Sequence, residues 1–192
     1  MLSLSEADRR SLLELARRAI AEAVSLQKPV GNIPLSGVFA EKRGVFVTLH
    51  QRGRLRGCIG VFEAFEPLGE SIARCAVSAA QHDPRFSPVR VEELRELQIE
   101  LSLLSPPEPI LPENIEIGTH GLLISQGSKR GLLLPQVALE HRLGREQFLE
   151  ETCRKAGLAP QAWQEPETQI LGFTCEIFSE GGASGDPPPS EA

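Results

Sequence analysis

The sequence predicts an α+β fold in which antiparallel sheets are flanked by helices and two subdomains are unequal in size. Short stretches alternate between apolar and polar residues, and turns join nearly every neighbouring pair of them. Crossover helices, which a parallel sheet requires, are not placed between them. The 192 residues are 41% hydrophobic and 24% charged, which excludes a largely disordered chain. A coiled coil is excluded because 15 Pro and 17 Gly interrupt long periodicity.

The first predicted elements are a helix and a hairpin. Residues 5–26 have the apolar spacing of an amphipathic helix, with Ser5 as its N-cap. Period-two alternation predicts strands over 44–50 and 54–62, joined by a turn at 51–53 that contains a glycine. In the second strand, Leu55, Ile59 and Val61 are expected to face the core.

The later elements continue the mixed pattern. They are a helix over 67–81, a short helix over 91–97, strands over 99–103, 115–125 and 131–134, helices over 135–143 and 145–156, and a strand over 173–177. Gly157 stands where a helix C-terminus favours glycine. Residues 181–192 are rich in Gly, Ser and Pro, and we expect a disordered tail there.

Charge and cysteine usage exclude several classes of protein. The net charge of −6 opposes a nucleic-acid-binding function. No apolar run approaches the roughly 20 residues that span a bilayer, and the charged N-terminus is not typical of a secretory signal. We therefore expect a cytoplasmic protein without membrane contact. The four cysteines lack disulfide-framework or zinc spacing, so reduced thiols without metal or cofactor are expected.

The most unusual stretch is the hexapeptide Leu55-Arg56-Gly57-Cys58-Ile59-Gly60. On a regular strand, Arg52, Arg54 and Arg56 share one face with Cys58. Guanidinium groups favour a thiolate, which lowers the pKa of the thiol and makes it more reactive. Gly57 and Gly60 leave room for a ligand near the backbone. The alternative is structural: Cys58 is a small buried residue, the glycines mark a bulge, and the arginines keep a strand edge in solvent.

A second group of polar residues is Asp83-Pro84-Arg85-Phe86. Asp before Pro is typical of a turn, in which the carboxylate binds the following backbone. In the functional alternative, Asp83 and Arg85 form a polar pair at the rim of a pocket. His82 is a further candidate, as a base for a thiol.

The ordered series of motifs resembles the AMMECR-type domain family, whose bacterial and archaeal members are called AmmeMemoRadiSam system protein A. The hexapeptide is the hallmark of that family. Matching stretches follow at 79–80, 83–86, 93–94, 99–106, 131–138, 148–149, 153–158 and 162–163. The resemblance covers about residues 5–180 and implies a single AMMECR-type domain over 1–180. Its larger subdomain would combine both ends of the chain, and its smaller subdomain would be an insertion of unspecified boundaries.

The resemblance implies partners rather than a reaction. Gene neighbours of the family indicate a three-part system with a Memo-like protein and a radical S-adenosylmethionine (radical SAM) enzyme. One hypothesis is an enzyme component acting on an unknown small molecule: Cys58 is the nucleophile or substrate-handling thiol, Arg56 stabilises the thiolate and binds an anionic group, and Asp83 and Arg85 shape the pocket. The second is a non-catalytic protein-binding module that presents Arg56, Gly57 and Gly60. A nucleic-acid regulator, suggested by Arg52, Arg54 and Arg56 alone, is opposed by the net charge.

Overall fold

A computed structural model describes residues 4–63 and 65–181. Within them, the chain forms two compact units, one made of residues 4–104 and 176–181 and the other of residues 105–175. Both combine helices with antiparallel strands, which confirms the predicted α+β class. The predicted tail at 181–192 lies outside the described residues, except for Gly181.

The first unit begins with the long helix α1 (Glu6–Leu26). Ser5 is its N-cap, as predicted, and its hydroxyl accepts the N–H of Asp8 at 3.1 Å. The apolar stripe of α1 is buried, with Leu12 and Ala16 fully enclosed. On another side of the helix, the Arg17 guanidinium donates to the carbonyls of Leu94 and Leu97 at 2.7 Å.

Three strands and a second helix complete the core of this unit. Strand β1 (Val45–Gln51) lies between β2 (Arg54–Val61) and β3 (Leu97–Leu104) and pairs with both in antiparallel fashion. Helix α2 (Leu68–Gln81) packs on the same face of this sheet as α1. The core face of β1 is fully buried and consists of Val45, Val47 and Leu49. Strand β2 forms one edge of the sheet.

The second unit is built on strands β4 (Glu108–Pro109), β5 (His120–Gln126), β6 (Lys129–Leu133) and the first part of β7 (Gln169–Ser179). β5 pairs with β6 and with β7, and β4 pairs with β7. Helices α3 (Pro135–Glu140) and α4 (Arg145–Lys155) accompany them. Phe148, Leu149 and Cys153 of α4 are completely buried in the core of this unit.

Several boundaries differ from the sequence prediction. The expected helix at 91–97 is a single 3-10 turn, Val91–Glu93, because β3 already begins at Leu97. The last strand is longer than predicted and spans Gln169–Ser179. Within residues 4–63 and 65–181, no helix has both the length and the apolar character that a bilayer crossing requires.

Candidate functional site around Cys58

A β-bulge lies on β2 just before Cys58. Gly57 pairs with Leu49, but Leu55 pairs with His50, so Arg56 is an extra residue between them. The bulge reverses the alternation of side chains, and Leu55 shares the face of Cys58 instead of facing the core. Leu55 is 43% exposed. The predicted common face of Cys58 and the arginines is therefore wrong, as is the predicted burial of Leu55.

Cys58 lies on the face of the sheet opposite to the helices. It is partly exposed and pairs across the strands with Thr48, which in turn pairs with Glu100 on β3. The Thr48 hydroxyl donates a hydrogen bond to Cys58 Sγ at 3.4 Å. Cys58 is thus partly open to solvent, and a hydroxyl donor lies beside its sulfur.

Asp83 and Arg85 hold the main chain of Cys58 from the edge of the sheet. The Asp83 carboxylate is 4% exposed and accepts the Cys58 N–H at 2.9 Å. It also accepts Nε of Arg85 at 3.0 Å and Nη2 at 2.7 Å. Arg85 Nη2 donates in addition to the Cys58 carbonyl at 3.1 Å. Both outward-pointing backbone groups of Cys58 are therefore satisfied, which protects this edge from pairing with another strand.

Asp83 and Arg85 also belong to a turn, as predicted. The Asp83 carboxylate accepts the backbone N–H of Arg85 at 3.1 Å. Against the effect of burial, the Arg85 guanidinium and then the Cys58 N–H hold the pKa of Asp83 well below its usual range. Arg85 remains about half exposed, and within the described residues its Nη1 has no hydrogen-bond partner. Nη1 is thus available to an anionic group.

The side chain of Arg56 binds a carboxylate and a carbonyl of the neighbouring turn rather than the sulfur of Cys58. Its guanidinium binds both oxygens of Glu93, at 2.9 and 3.2 Å, and donates to the carbonyl of Ser87 at 2.9 Å. Its side chain is only 12% exposed. Arg56 also lowers the pKa of Glu93. The prediction that Arg56 pairs with Cys58 is corrected: the bulge turns Arg56 toward Glu93, where it ties β2 to the Val91–Glu93 turn.

The two glycines of the hexapeptide both allow close packing. A Cβ at Gly57 would lie 2.2 Å from the backbone oxygen of Ala79, so α2 approaches the strand directly. A Cβ at Gly60 would lie 2.3 Å from the ring of Phe46 and 2.7 Å from the carbonyl of Val45. The expectation that the missing side chain of Gly60 opens space for a ligand is corrected, because the ring of Phe46 occupies that space.

Sequence reasoning missed the other titratable groups on the face of Cys58. His50 and Glu100 occupy this face of β1 and β3, respectively. Burial raises the pKa of Glu100, and the charge of His50 opposes that shift. The signal was present in the alternation: both residues have the opposite parity to the core residues of their strands. What the alternation did not contain was the register that places them next to Cys58.

The remaining candidates lie elsewhere. His82 is exposed at the C-terminal end of α2, where it lines a groove with residues such as Ala23, Val30 and Val77. Cys75 and Cys153 are buried, and burial raises the pKa of both thiols. Within the described part of the chain, no group of three or more His, Cys, Asp or Glu side chains is placed to hold a metal ion.

The fold and this site define a class: α+β proteins of two units in which an edge strand presents an accessible cysteine held by an Asp–Arg pair. The AMMECR1 family model matches residues 13–178, and the chain belongs to that family.

Relatives match over nearly the whole chain. A protein from Methanothermobacter thermautotrophicus is 45% identical over 93% of this chain and 97% of its own length. A protein from Methanosarcina barkeri is 44% identical over 95% of each chain. Among solved structures, an uncharacterized protein from Pyrococcus horikoshii has a TM-score of 0.78, with 41% identity over 93% of this chain and 96% of that one. These names describe no reaction.

Proposed function

We propose that this protein is the thiol-bearing component of a three-protein system that includes a Memo-like protein and a radical SAM enzyme. Cys58 is the substrate-handling thiol, and the substrate is a small molecule. The observation that carries this proposal is the surroundings of Cys58. The residue is partly exposed and its sulfur accepts a hydroxyl hydrogen bond, while Asp83 and Arg85 bind its backbone N–H and carbonyl. A group fixed in this way is preorganised for chemistry.

The free end of Arg85 supports a preference for anionic substrates. Nη2 of its guanidinium donates to Asp83 and to the Cys58 carbonyl, which places this half-exposed side chain at the same edge as Cys58. A carboxylate or phosphate bound there would be positioned beside the thiol. The assignment of partners, and of the cytoplasm as the place of action, rests on the resemblance to AmmeMemoRadiSam system protein A.

A second function is favoured by a separate observation, the exposed end of the β1–β2 hairpin. Leu55 projects into solvent at the border of a concave region of about 510 Å³. That region is lined by both signs of charge, including Arg52, Arg90 and Glu92. A partner of complementary charge would occupy this concave region and cover Leu55 at its border. In this alternative, the chain is a non-catalytic binding module of the same system.

Thiol mapping tests the first function. Native protein at pH 7.5 is treated with limiting iodoacetamide, and alkylation at each cysteine is followed by peptide mass spectrometry. Cys175 is the internal control because it is also partly exposed, and Cys75 is the buried control. We expect Cys58 to react at least about tenfold faster than Cys175. Equal rates at the two sites would contradict a reactive thiol.

A native pulldown separates the two functions. Tagged wild-type protein, Cys58→Ser and Leu55→Ser are recovered from cells that contain the whole system, and both bound proteins and small molecules are identified. The thiol component predicts that Cys58→Ser keeps the protein partners but changes the recovered metabolites. The binding module predicts that Leu55→Ser loses the partners, whereas Cys58→Ser behaves like the wild type in both respects.

A further inference from the structure

Three groups that can act together in acid–base chemistry surround Thr48 on the exposed face of the first sheet. Thr48 lies between Cys58 on β2 and Glu100 on β3, and it contacts the sulfur directly. His50 is two residues further along the central strand, so it is the diagonal neighbour of both Cys58 and Glu100. A thiol, an imidazole and a carboxyl group thus occupy neighbouring positions on three adjacent strands.

The spacing of an antiparallel sheet brings these groups within reach of one another. Residues directly opposite have Cβ atoms about 5 Å apart, and diagonal neighbours are about 7–8 Å apart, which long side chains can bridge. Neither His50 nor Glu100 has a hydrogen-bond partner among the described residues, so both are free to turn toward the space above Thr48. Catalytic hydrogen bonds are often long before substrate binds.

From this arrangement we infer that His50 is the general base for Cys58 and that Glu100 is the positioning residue that orients and stabilises the imidazole. The inference deepens the proposed function and rests on Cys58 being its reactive thiol. In the step assigned to this group, His50 accepts the proton of the Cys58 thiol. A neutral thiol and a neutral imidazole thereby become a thiolate and an imidazolium, with the electron pair remaining on sulfur. Thr48 donates its hydrogen bond to that sulfur.

The electrostatics of the site agree with these roles. The charge of His50 already acts on the Glu100 carboxyl group, against the burial that raises its pKa. A carboxylate beside an imidazole favours the protonated ring, and hence the proton transfer from Cys58. Three adjacent strands of one sheet thus supply the nucleophile (Cys58), the base (His50) and the orienting carboxylate (Glu100).

Other charged groups face Cys58 but do not titrate near neutral pH. Asp83 and Arg85 form an ion pair at the strand edge, with the pKa of the acid lowered and that of the base raised. Cys75, on α2 behind the sheet, remains protonated because burial raises its pKa. An inflection in the alkylation rate of Cys58 that comes in addition to the titration of the thiol itself is therefore attributable to the pair of His50 and Glu100.

The pH dependence of alkylation at Cys58 tests the inference. The rate constant with iodoacetamide is measured from about pH 5 to pH 9 in the wild type, His50→Gln and Glu100→Gln. The matched control is His82→Gln, which removes an exposed imidazole from the end of α2. We expect His50→Gln to slow the alkylation of Cys58 about tenfold at pH 7. The dependence of its rate on pH should then show only the titration of the thiol. Glu100→Gln should narrow the pH range over which Cys58 is alkylated rapidly. His82→Gln should leave the dependence of the alkylation rate on pH unchanged.

A second measurement does not depend on the stability of these variants. The imidazole of His50 is titrated by NMR in the wild type and in Cys58→Ser. Because the inferred proton transfer couples the ring of His50 to the sulfur, the pH dependence of the His50 NMR signals should differ between the two proteins. An unchanged titration of His50, or an unchanged alkylation profile in a folded His50→Gln, would overturn the inference. Slow alkylation of Cys58 in the wild type would instead contradict the proposed function itself.

Discussion

Replacing Gly57 with Ala tests whether this glycine serves packing or binding. The added Cβ would lie 2.2 Å from the backbone oxygen of Ala79 and 3.1 Å from its carbonyl carbon. To restore an ordinary contact, α2 would have to withdraw by about 1 Å, and a helix backbone cannot rotate away as a flexible side chain can. Overpacking of this kind costs about 1–3 kcal/mol. The smaller entropy of the unfolded Ala variant offsets about 0.4–1 kcal/mol.

The expected net loss for Gly57→Ala is therefore about 1.3 kcal/mol in the free energy of unfolding, measured by urea denaturation. With a typical m-value, the midpoint falls by about 0.7 M. Gly31→Ala is the matched control, because its backbone is unstrained and its added Cβ has no atom of the described residues within 4 Å apart from its chain neighbours. It should be more stable than the wild type by about 0.4–1 kcal/mol, the effect on the unfolded chain alone. If Gly57→Ala were as stable as the wild type, the close approach of α2 to β2 would be refuted.

Three further substitutions separate structural from chemical roles. Gly60→Ala should cost about 1–3 kcal/mol, measured by urea denaturation, because the added Cβ meets the ring of Phe46; full stability would contradict that contact. Asp83→Asn should cost about 2 kcal/mol at pH 7, since it breaks charged hydrogen bonds that include the one from the Cys58 N–H. Because folding lowers the pKa of Asp83, the stability that its carboxylate contributes is complete above about pH 4 and is lost as the pH falls further. The free energy of unfolding of Asp83→Asn should therefore depend less on pH between pH 5 and pH 2 than that of the wild type. Arg56→Gln removes the guanidinium charge, so it should cost about 2 kcal/mol through the lost charged hydrogen bonds to Glu93 and leave the alkylation rate of Cys58 unchanged. If Arg56 stabilised the thiolate, its replacement would slow the alkylation.

Local patterns in the sequence predicted the elements that depend on local interactions. The N-cap at Ser5 and the alternation of β1 required only neighbouring residues, and both were correct. A bulge in the hexapeptide was one of the two alternatives, but its position at Arg56 could not be predicted. Register depends on how the 51–53 turn joins two strands, and one extra residue reverses every face beyond it. The hydrogen bond from the Cys58 N–H to Asp83 joins residues 25 positions apart. No local pattern contains such a contact.

The structure divides the hexapeptide into residues that build the site and residues that are left for function. Arg56 is held by a carboxylate and a carbonyl, Gly57 is required by the adjacent helix, and Gly60 is covered by an aromatic ring. Each of these has a structural reason for its identity. Cys58 and Leu55 do not: a partly exposed thiol and an exposed leucine contribute little to the core. They correspond to the two proposed functions, chemistry at sulfur and binding at the hairpin, so substitution of these two residues discriminates most directly between them.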